Sequence, residues 1–266
     1  DVGNPYWASV IRGAESVLAE QNLSLVVGST RQDPRRQRSL AVAMTSQGID
    51  GLLVAPIDDE TPWQPIASRA LGVVVLEGGS NRPGHRGVHA NNVSGAARAV
   101  THLLELGHRQ VTFLNGPRHV SWCAERWEGA YQAFIDHGAD PAGLTEVTVS
   151  DLTVADGARA AEELLASGNP PAAIFCANDL VALGVLLTLR SHDIAVPAQV
   201  SLIGYDDAEF ESALNPPLTT VRQHSFELGV AAANALLRGS EREAGPDEVA
   251  FSLELVVRDS TAPPPA

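Results

Sequence analysis

Between Ala172 and Gly204 the sequence alternates two short apolar runs with one amphipathic segment. The runs are Ala172–Ala177 and Val200–Gly204, and apolar residues recur between them at helical spacing until Asp193. This pattern predicts a strand, a helix and a second strand. A helical crossover of this length joins neighbouring parallel strands, so the sequence predicts an α/β fold built on a parallel sheet.

Polar residues stand where both predicted strands finish. Asn178 and Asp179 follow the first strand, and Asp206 and Asp207 follow the second. Ligands of open parallel sheets bind in the crevice outside the carboxyl ends of the strands, so these four side chains are expected at one ligand site. Asp179 also directly precedes the helical run, which is typical of a helix N-cap.

The same alternation extends over the rest of the chain and forms two sets of similar size, which indicates two doubly wound lobes. The other predicted strands are Leu23–Gly28, Ile49–Ala55, Val73–Leu76, Val111–Leu114, Val147–Val149 and Val249–Val257. The other predicted helices begin at Pro5, with Asn4 as its cap, and at Pro34, Pro62, Asn91, Ala124, Ala155 and Ser225. Gly78–Gly87 and Arg238–Asp247 are predicted loops, and the Pro-rich tail Thr261–Ala266 is predicted to be frayed.

The charge of the chain argues against direct contact with DNA. It has 18 Lys and Arg against 32 Asp and Glu, a formal net charge of −14. A DNA-binding protein neutralises phosphates with basic side chains, so these 266 residues are expected not to retard DNA by themselves. No apolar run approaches the roughly 20 residues of a membrane span, and the first residues lack the pattern of an export signal. A cytoplasmic location is therefore expected.

Catalysis, metals and cofactors find little support in the sequence. The paired acids Asp58–Asp59 and Asp206–Asp207 are neighbours in the chain, and such pairs serve turns or caps more often than chemistry. The eight histidines show no HExxH spacing, and no P-loop or GxSxG motif occurs. Cys176 is expected to be a small buried hydrophobe. No cofactor and no metal are therefore predicted.

Several motifs together resemble the lactose-repressor family of bacterial transcription regulators. They are CANDLVALG, VSLIGYDD and NPPLTTVRQ, together with NNVSGAARAVTHLLELGHRQVTFLNGP. The resemblance implies two doubly wound parallel-sheet lobes joined by a three-strand hinge, the periplasmic-binding-protein-like type I fold. It places residues 1–90 plus 222–248 in an N-terminal lobe and residues 91–221 plus 249–266 in a C-terminal lobe. It also implies that this chain is a core from which the N-terminal DNA-binding head is absent. Asn91 stands where the family usually has an acid.

The resemblance also assigns ligand-binding roles. The main set is Tyr6 and Trp7 of NPYW, Arg126 of RWEG, Asn178 of ANDL and Asp206 of GYDD, whereas Asp207 is assigned to capping the next short helix. Without the motif, Arg126 would be expected in a surface ion pair with Glu125 or Glu128. A weaker set of candidates rests on position in the chain: Glu77 and Leu152 each follow a predicted strand, and Trp122 is the third candidate. Trp122 lies one helical turn before Arg126, and ligand stacking and core packing both remain open for it.

The function that the resemblance implies is that of an effector-binding and dimerising core. A sugar or sugar derivative, or else a purine-like effector, would close the lobes and alter operator binding by a homodimer through the missing head. The alternative is a periplasmic-type sugar-binding protein for transport, which would share the hinged fold. A sugar-modifying enzyme is a more distant third.

Overall fold

The computed structural model describes residues 2–57, 63, 71–77, 86–168, 170–239 and 248–265, where helices alternate with strands. The helices are α1 (Pro5–Glu20), α2 (Pro34–Ser46), α3 (Asn92–Glu105), α4 (Ser121–Asp136), α5 (Val154–Ala166), α6 (Asp179–Ser191) and α7 (Ser225–Leu237). The strands are β1 (Gly51–Val54), β2 (Gly72–Leu76), β3 (Arg86–Ala90), β4 (Val111–Asn115), β5 (Leu144–Thr148), β6 (Ala173–Cys176), β7 (Ser201–Asp206), β8 (Thr219–Arg222), β9 (Glu248–Phe251) and β10 (Glu254–Val256). The predicted helix at 62–70 lies outside the described residues, apart from Trp63, as do most of the two predicted loops.

The chain divides into two compact units. Unit 1 comprises Asp1–Ala90, His119–Trp122 and His224–Phe251. Unit 2 comprises Asn91–Arg118, Cys123–Gln223 and Ser252–Ala266. Each unit has its own sheet and its own helices, so each is described by itself.

Unit 1 is built on a parallel sheet of order β1-β2-β3-β9. Successive residues of β2 point to opposite faces, as in any strand. Val74 and Leu76 pack in one core cluster with residues of α1 and α7, whereas Val75 packs in a second cluster with Ala41 of α2. Helices therefore cover both faces, as the predicted doubly wound arrangement requires.

Unit 2 contains a six-stranded sheet of order β10-β8-β7-β6-β4-β5, in which β10 runs antiparallel to β8 and the other neighbours are parallel. An aromatic row crosses its centre. Phe113 of β4 stacks on Phe175 of β6 at 4.4 Å between ring centroids, and Tyr205 of β7 follows at 6.3 Å. This row anchors the strands whose carboxyl ends carry the predicted ligand residues.

The prediction of a strand at Leu23–Gly28 was wrong. Leu23 and Leu25 do pack against a core cluster of α1 and α7 residues, which explains the apolar pattern. The segment is nevertheless not a strand, because β1 is the outermost strand of the described sheet and the residues 23–28 have no ladder with it. An apolar pattern reports burial, whereas a strand also needs a hydrogen-bonded neighbour.

The predicted last strand, Val249–Val257, is two strands in different sheets. β9 pairs with β3 in unit 1, and β10 pairs with β8 in unit 2. The predicted loop Gly78–Gly87 also ends too late, because β3 already begins at Arg86. Between β9 and β10 the chain passes from unit 1 to unit 2, which an apolar run alone does not reveal.

Thr261 and Ala262, the first residues of the C-terminal tail, are held in place, contrary to the expectation that the tail is frayed. The Ser201 hydroxyl donates to the Ala262 carbonyl at 2.9 Å, and the Ala262 amide donates back to Ser201 Oγ at 3.0 Å. His108 Nε2 lies 3.0 Å from the same carbonyl, and His102 Nε2 lies 3.0 Å from Thr261 Oγ1. The partners of the tail, His102, His108 and Ser201, are distant in sequence, so the composition of the tail could not predict that it is ordered.

The two histidines make stability depend on pH. Burial lowers the pKa of both His102 and His108 in the folded chain. Below an unfolded value of about 6.5 the unfolded chain therefore binds more protons than the folded one, so the free energy of unfolding should fall as pH decreases from 7.5 to 5.5. Urea titrations across this range should show that decrease. His108→Gln should show a shallower slope, and an unchanged slope would contradict this role of His108.

Paired glycines allow helices to pack closely in unit 1. A Cβ atom at Gly13 of α1 would lie 2.1 Å from the Phe226 carbonyl oxygen, and a Cβ atom at Gly229 of α7 would lie 2.0 Å from the Val10 carbonyl oxygen. Each glycine thus makes room for the backbone of the other helix. Any side chain at these positions would force α1 and α7 apart.

Unit 2 repeats this arrangement between α5 and α6. A Cβ atom at Gly157 would lie 2.1 Å from Val181 O, and one at Gly184 would lie 2.0 Å from Val154 O. Gly184→Ala is therefore expected to lower the free energy of unfolding by about 1–3 kcal/mol, measured by urea denaturation. Leu187→Ala is the control, because Leu187 lies on the exposed side of α6 and is 52% exposed. Equal effects of the two substitutions would contradict the close packing.

Candidate functional site

The guanidinium group of Arg126 lies inside unit 2, and the residue is 4% exposed. Its Nε donates to Asn92 Oδ1 at 2.9 Å, and its Nη1 donates to the Ala177 carbonyl. The group also lies over the Tyr205 ring, 3.7 Å from the centroid. Ala177 follows β6 and Tyr205 is next to the end of β7, so Arg126 is anchored at the carboxyl edge of the sheet. A surface ion pair would leave the arginine exposed, and the structure excludes that alternative.

Asn178 is the N-cap of α6, and the expectation that Asp179 has this role was wrong. Asn178 Oδ1 accepts from the Val181 amide at 2.9 Å, with an extended backbone at the cap position. Its Nδ2 donates to the Leu152 carbonyl at 2.9 Å. The structure thus brings together two of the predicted site residues, Asn178 and Leu152, through a side-chain contact that also fixes the loop after β5.

Asp206 ends β7 and is 8% exposed. Its carboxylate accepts a hydrogen bond from Nε2 of Gln223. Asp207, which was expected to cap the next short helix, instead accepts from Arg222 Nε and from Arg258 Nη2, each at 2.5 Å. The following 3₁₀ helix has Phe210 at its N-cap position, without a side-chain cap. The local sequence could not predict this role of Asp207, because Arg222 and Arg258 lie in segments that follow much later in the chain.

Unit 1 brings together Tyr6 and Glu77. The Tyr6 hydroxyl donates to Glu77 Oε1 at 2.5 Å, and the Ala90 amide lies 3.5 Å from Oε2. Trp7 contacts the Tyr6 ring edge-on, with 5.0 Å between centroids. Glu77 is buried just after β2, which puts a carboxylate and two aromatic rings in one cluster.

Three of the predicted site residues have left-handed backbones although they are not glycine. They are Glu77 (φ 49°), Leu152 (φ 57°) and Asp206 (φ 126°). Glu77 follows β2 in unit 1, whereas in unit 2 Leu152 lies in the loop after β5 and Asp206 ends β7. Such conformations persist where the surrounding structure imposes them, and they cluster at binding sites.

Comparison with known proteins supports a regulator. The family described as periplasmic binding protein-like domain matches residues 100–261. The transcriptional repressor CytR of Escherichia coli K12 is 28% identical over 272 residues, which cover 98% of this chain and 77% of the repressor. The repressor PurR of Aliivibrio fischeri ES114 is 30% identical over 240 residues, which cover 88% and 70%. The chain belongs to the lactose-repressor family.

A solved structure of the lactose-repressor family agrees over the whole fold. A LacI family transcriptional regulator from Enterococcus faecium, solved with bound ribose, superimposes with a TM-score of 0.87 at 25% identity. The match covers 99% of this chain and 96% of the other. The fold is therefore the periplasmic-binding-protein-like α/β fold, and these relatives favour a sensing regulator over a transport protein.

Gln223 is a further candidate site residue in this member of the lactose-repressor family, and it was not predicted from the sequence. It is 1% exposed, its amide nitrogen donates to Asp206, and its Oε1 has no hydrogen-bond partner among the described residues. A buried amide oxygen without a partner is costly unless something else donates to it. The signal available in the sequence was its position at the end of NPPLTTVRQ, one of the motifs that carry the family resemblance.

Asn92 and Tyr205 also escaped the sequence analysis, and both orient Arg126. The Tyr205 hydroxyl lies 3.3 Å from Asn92 Oδ1, which accepts from Arg126 as well. Asn91, where the family usually has an acid, caps α3 by accepting from the Ser94 amide at 2.9 Å. An amide oxygen performs that local role as well as a carboxylate would.

Trp122 remains an untested prediction. It is partly buried in α4 and groups with unit 1, whereas Arg126 of the same helix groups with unit 2. The structure of unit 1 therefore places it near the Glu77 segment, since the Ser121 hydroxyl donates to the Glu77 carbonyl at 3.2 Å. Its contact with a ligand stays a prediction.

The thiols and acids around the site offer little for catalysis. Burial raises the pKa of Cys123 to about 12, so its thiolate, the nucleophilic form, is scarce at neutral pH. Cys176 is fully buried, as expected. Among the described residues no cluster of His, Cys, Asp or Glu could hold a metal ion, and none of their helices is long and apolar enough to cross a bilayer.

Proposed function

We propose that this chain binds a small sugar-like effector at the carboxyl edge of the unit 2 sheet and transmits its presence to operator DNA. The observation that carries the proposal is the pair of acceptors at that edge. Asp206 is held there by Gln223, and Gln223 Oε1 remains without a partner in the described structure. Two oriented acceptors suit a ligand that offers several hydroxyl donors.

The charge at the edge favours a neutral polyol over an anion. Arg126 donates through Nε to Asn92 and through Nη1 to Ala177, so two of its five N–H donors are taken and a ligand carboxylate or phosphate cannot pair with it through Nε. Asp206 adds a negative charge that would repel such a ligand. A sugar hydroxyl can donate to a carboxylate without a charge penalty. The ribose bound to the Enterococcus faecium regulator is a ligand of this chemistry.

Unit 1 has a second set of groups suited to a sugar. Aromatic rings pack on the apolar face of a sugar, and a carboxylate accepts from its hydroxyls. Tyr6, Trp7 and Glu77 supply this combination. We propose them as further ligand contacts, with Trp122, Leu152 and Asn178 in supporting roles.

The regulator would act as a cytoplasmic homodimer, and its DNA contacts would lie outside these 266 residues. With a net charge of −14 the chain itself is a poor partner for phosphates. Effector binding must then favour one state of the dimer, and couplings of this kind typically amount to about 1–3 kcal/mol. A catalytic role is not part of the proposal, because the described residues include no metal-holding cluster and burial raises the pKa of the Cys123 thiol to about 12.

A thermal-shift screen against pentoses, hexoses, disaccharides and nucleosides tests the proposal. A sugar at about 100 times its Kd should raise Tm by roughly 5–10 °C. A panel in which phosphorylated or carboxylated sugars bind and the neutral ones do not would contradict the proposed chemistry. Turnover of a bound sugar would instead support an enzyme.

A further inference from the structure

The turn that carries Asp206 has a backbone that must be held by its surroundings. Asp206 and Asp207 have φ values of 126° and 61°, and neither is glycine. A left-handed residue of this kind is disfavoured by about 1–3 kcal/mol. The side chain of Asp206 can keep its direction only if other groups fix the backbone on either side of the turn.

The carboxylate of Asp179 supplies those groups. Asp179 is 1% exposed, and its Oδ2 accepts from the Ala208 amide at 3.0 Å. It also accepts from the backbone amide of Tyr205. These two amides stand immediately before and immediately after the Asp206–Asp207 turn. Oδ1 accepts in addition from the Thr220 hydroxyl of β8 at 2.8 Å, which fixes the carboxylate itself.

Gly204 of β7 leaves room for the Asp179 carboxylate. A Cβ atom at Gly204 would lie 2.2 Å from Asp179 Oδ1, so any other residue in that position of β7 would displace the acid. Capping of α6 does not account for Asp179, because Asn178 performs it. Burial, followed by the nearby charge of Asp206, raises the pKa of Asp179, so keeping an acid here is unfavourable in itself.

We propose that Asp179 is a positioning residue for effector binding: it does not touch the effector but fixes the turn from which Asp206 does. The inference rests on the proposed function of Asp206. Gln223 orients the Asp206 side chain, whereas Asp179 orients its backbone, and Thr220 orients Asp179. Loss of Asp179 should therefore weaken binding even in molecules that remain folded.

Calorimetric titration with the sugar selected in the thermal-shift screen tests this on the folded chain. Asp179→Asn replaces one of the two acceptor oxygens by an NH₂ group, which cannot accept a hydrogen bond, and should weaken binding by about 10- to 100-fold. Thr220→Val should weaken it more than Thr220→Ser, which keeps the hydroxyl. Asp33→Asn is the matched control, because Asp33 also accepts from two backbone amides, those of Arg35 and Arg36, but lies at the start of α2 in unit 1. Its affinity should equal that of the wild type.

Hydrogen exchange provides a second readout that needs no ligand. In Asp179→Asn the amides of Tyr205 and Ala208 should exchange about 10-fold faster or more, while amides of α5 keep their wild-type rates. A lower Tm with unchanged affinity and unchanged exchange in the turn would show that Asp179 is merely structural and would overturn the proposal. If no sugar binds the wild type, the effector proposal fails, and the exchange rates still decide whether Asp179 holds the turn.

Discussion

Asp206→Gly is expected to weaken sugar binding by about 100-fold or more while leaving the free energy of unfolding within about 1 kcal/mol of the wild type. The substitution removes the carboxylate that we propose as the main acceptor. It also removes the contact with Gln223, which lowers stability. Glycine, however, adopts a φ of 126° without the strain of a side chain, which offsets that loss.

Asp207→Gly is the matched comparison for this prediction. Asp207 has a left-handed backbone too, but its carboxylate pairs with Arg222 and Arg258. Asp207→Gly should lower the free energy of unfolding by more than Asp206→Gly does, and it should weaken sugar binding by less. Calorimetry and urea denaturation of both variants give the two quantities. If Asp206→Gly binds the sugar as tightly as the wild type, Asp206 does not contact the sugar.

Arg126→Ala is expected to lower the free energy of unfolding by about 3–5 kcal/mol and to abolish binding. The change leaves Asn92 Oδ1 and the Ala177 carbonyl without this donor and removes the cation from the face of Tyr205. The two charged hydrogen bonds, at about 1.5–3 kcal/mol each, already account for a loss of this size.

Arg126→Lys distinguishes the charge of the arginine from its planar shape. Lysine keeps the charge but cannot bond to two partners in one plane while lying on the ring, so its stability should be intermediate. Urea denaturation of the three proteins measures this. A loss below about 1 kcal/mol for Arg126→Ala is what an exposed ion pair would give, and it would show that the buried network is not present in solution.

Hydrophobic patterning predicted most helices and strands, because it reports which face of an element is buried. The helix Ser225–Leu237 has the predicted first residue, and the strand–helix–strand pattern around α6 is confirmed. The same signal was misleading at Leu23–Gly28 and Val249–Val257. In the first segment burial occurs without a paired strand, and in the second one apolar run serves two sheets.

Side-chain roles could be predicted only in part. The rule that ligands bind at the carboxyl ends of parallel strands selected Asn178 and Asp206 correctly as residues of that edge. It could not distinguish Asn178 from Asp179 as the helix cap, since both are good caps and the choice depends on which side chain Thr220 and Ala208 contact. Gln223, Tyr205 and Asn92 are defined by contacts across 17 to 113 positions of sequence, which spacing does not reveal.

The most direct measurement is a crystal structure of this chain with the neutral sugar that gives the largest thermal shift. We predict that hydroxyl groups of the sugar lie within hydrogen-bond distance of the Asp206 carboxylate and of Gln223 Oε1. A sugar bound elsewhere, with Gln223 Oε1 still without a partner, would contradict the proposed site.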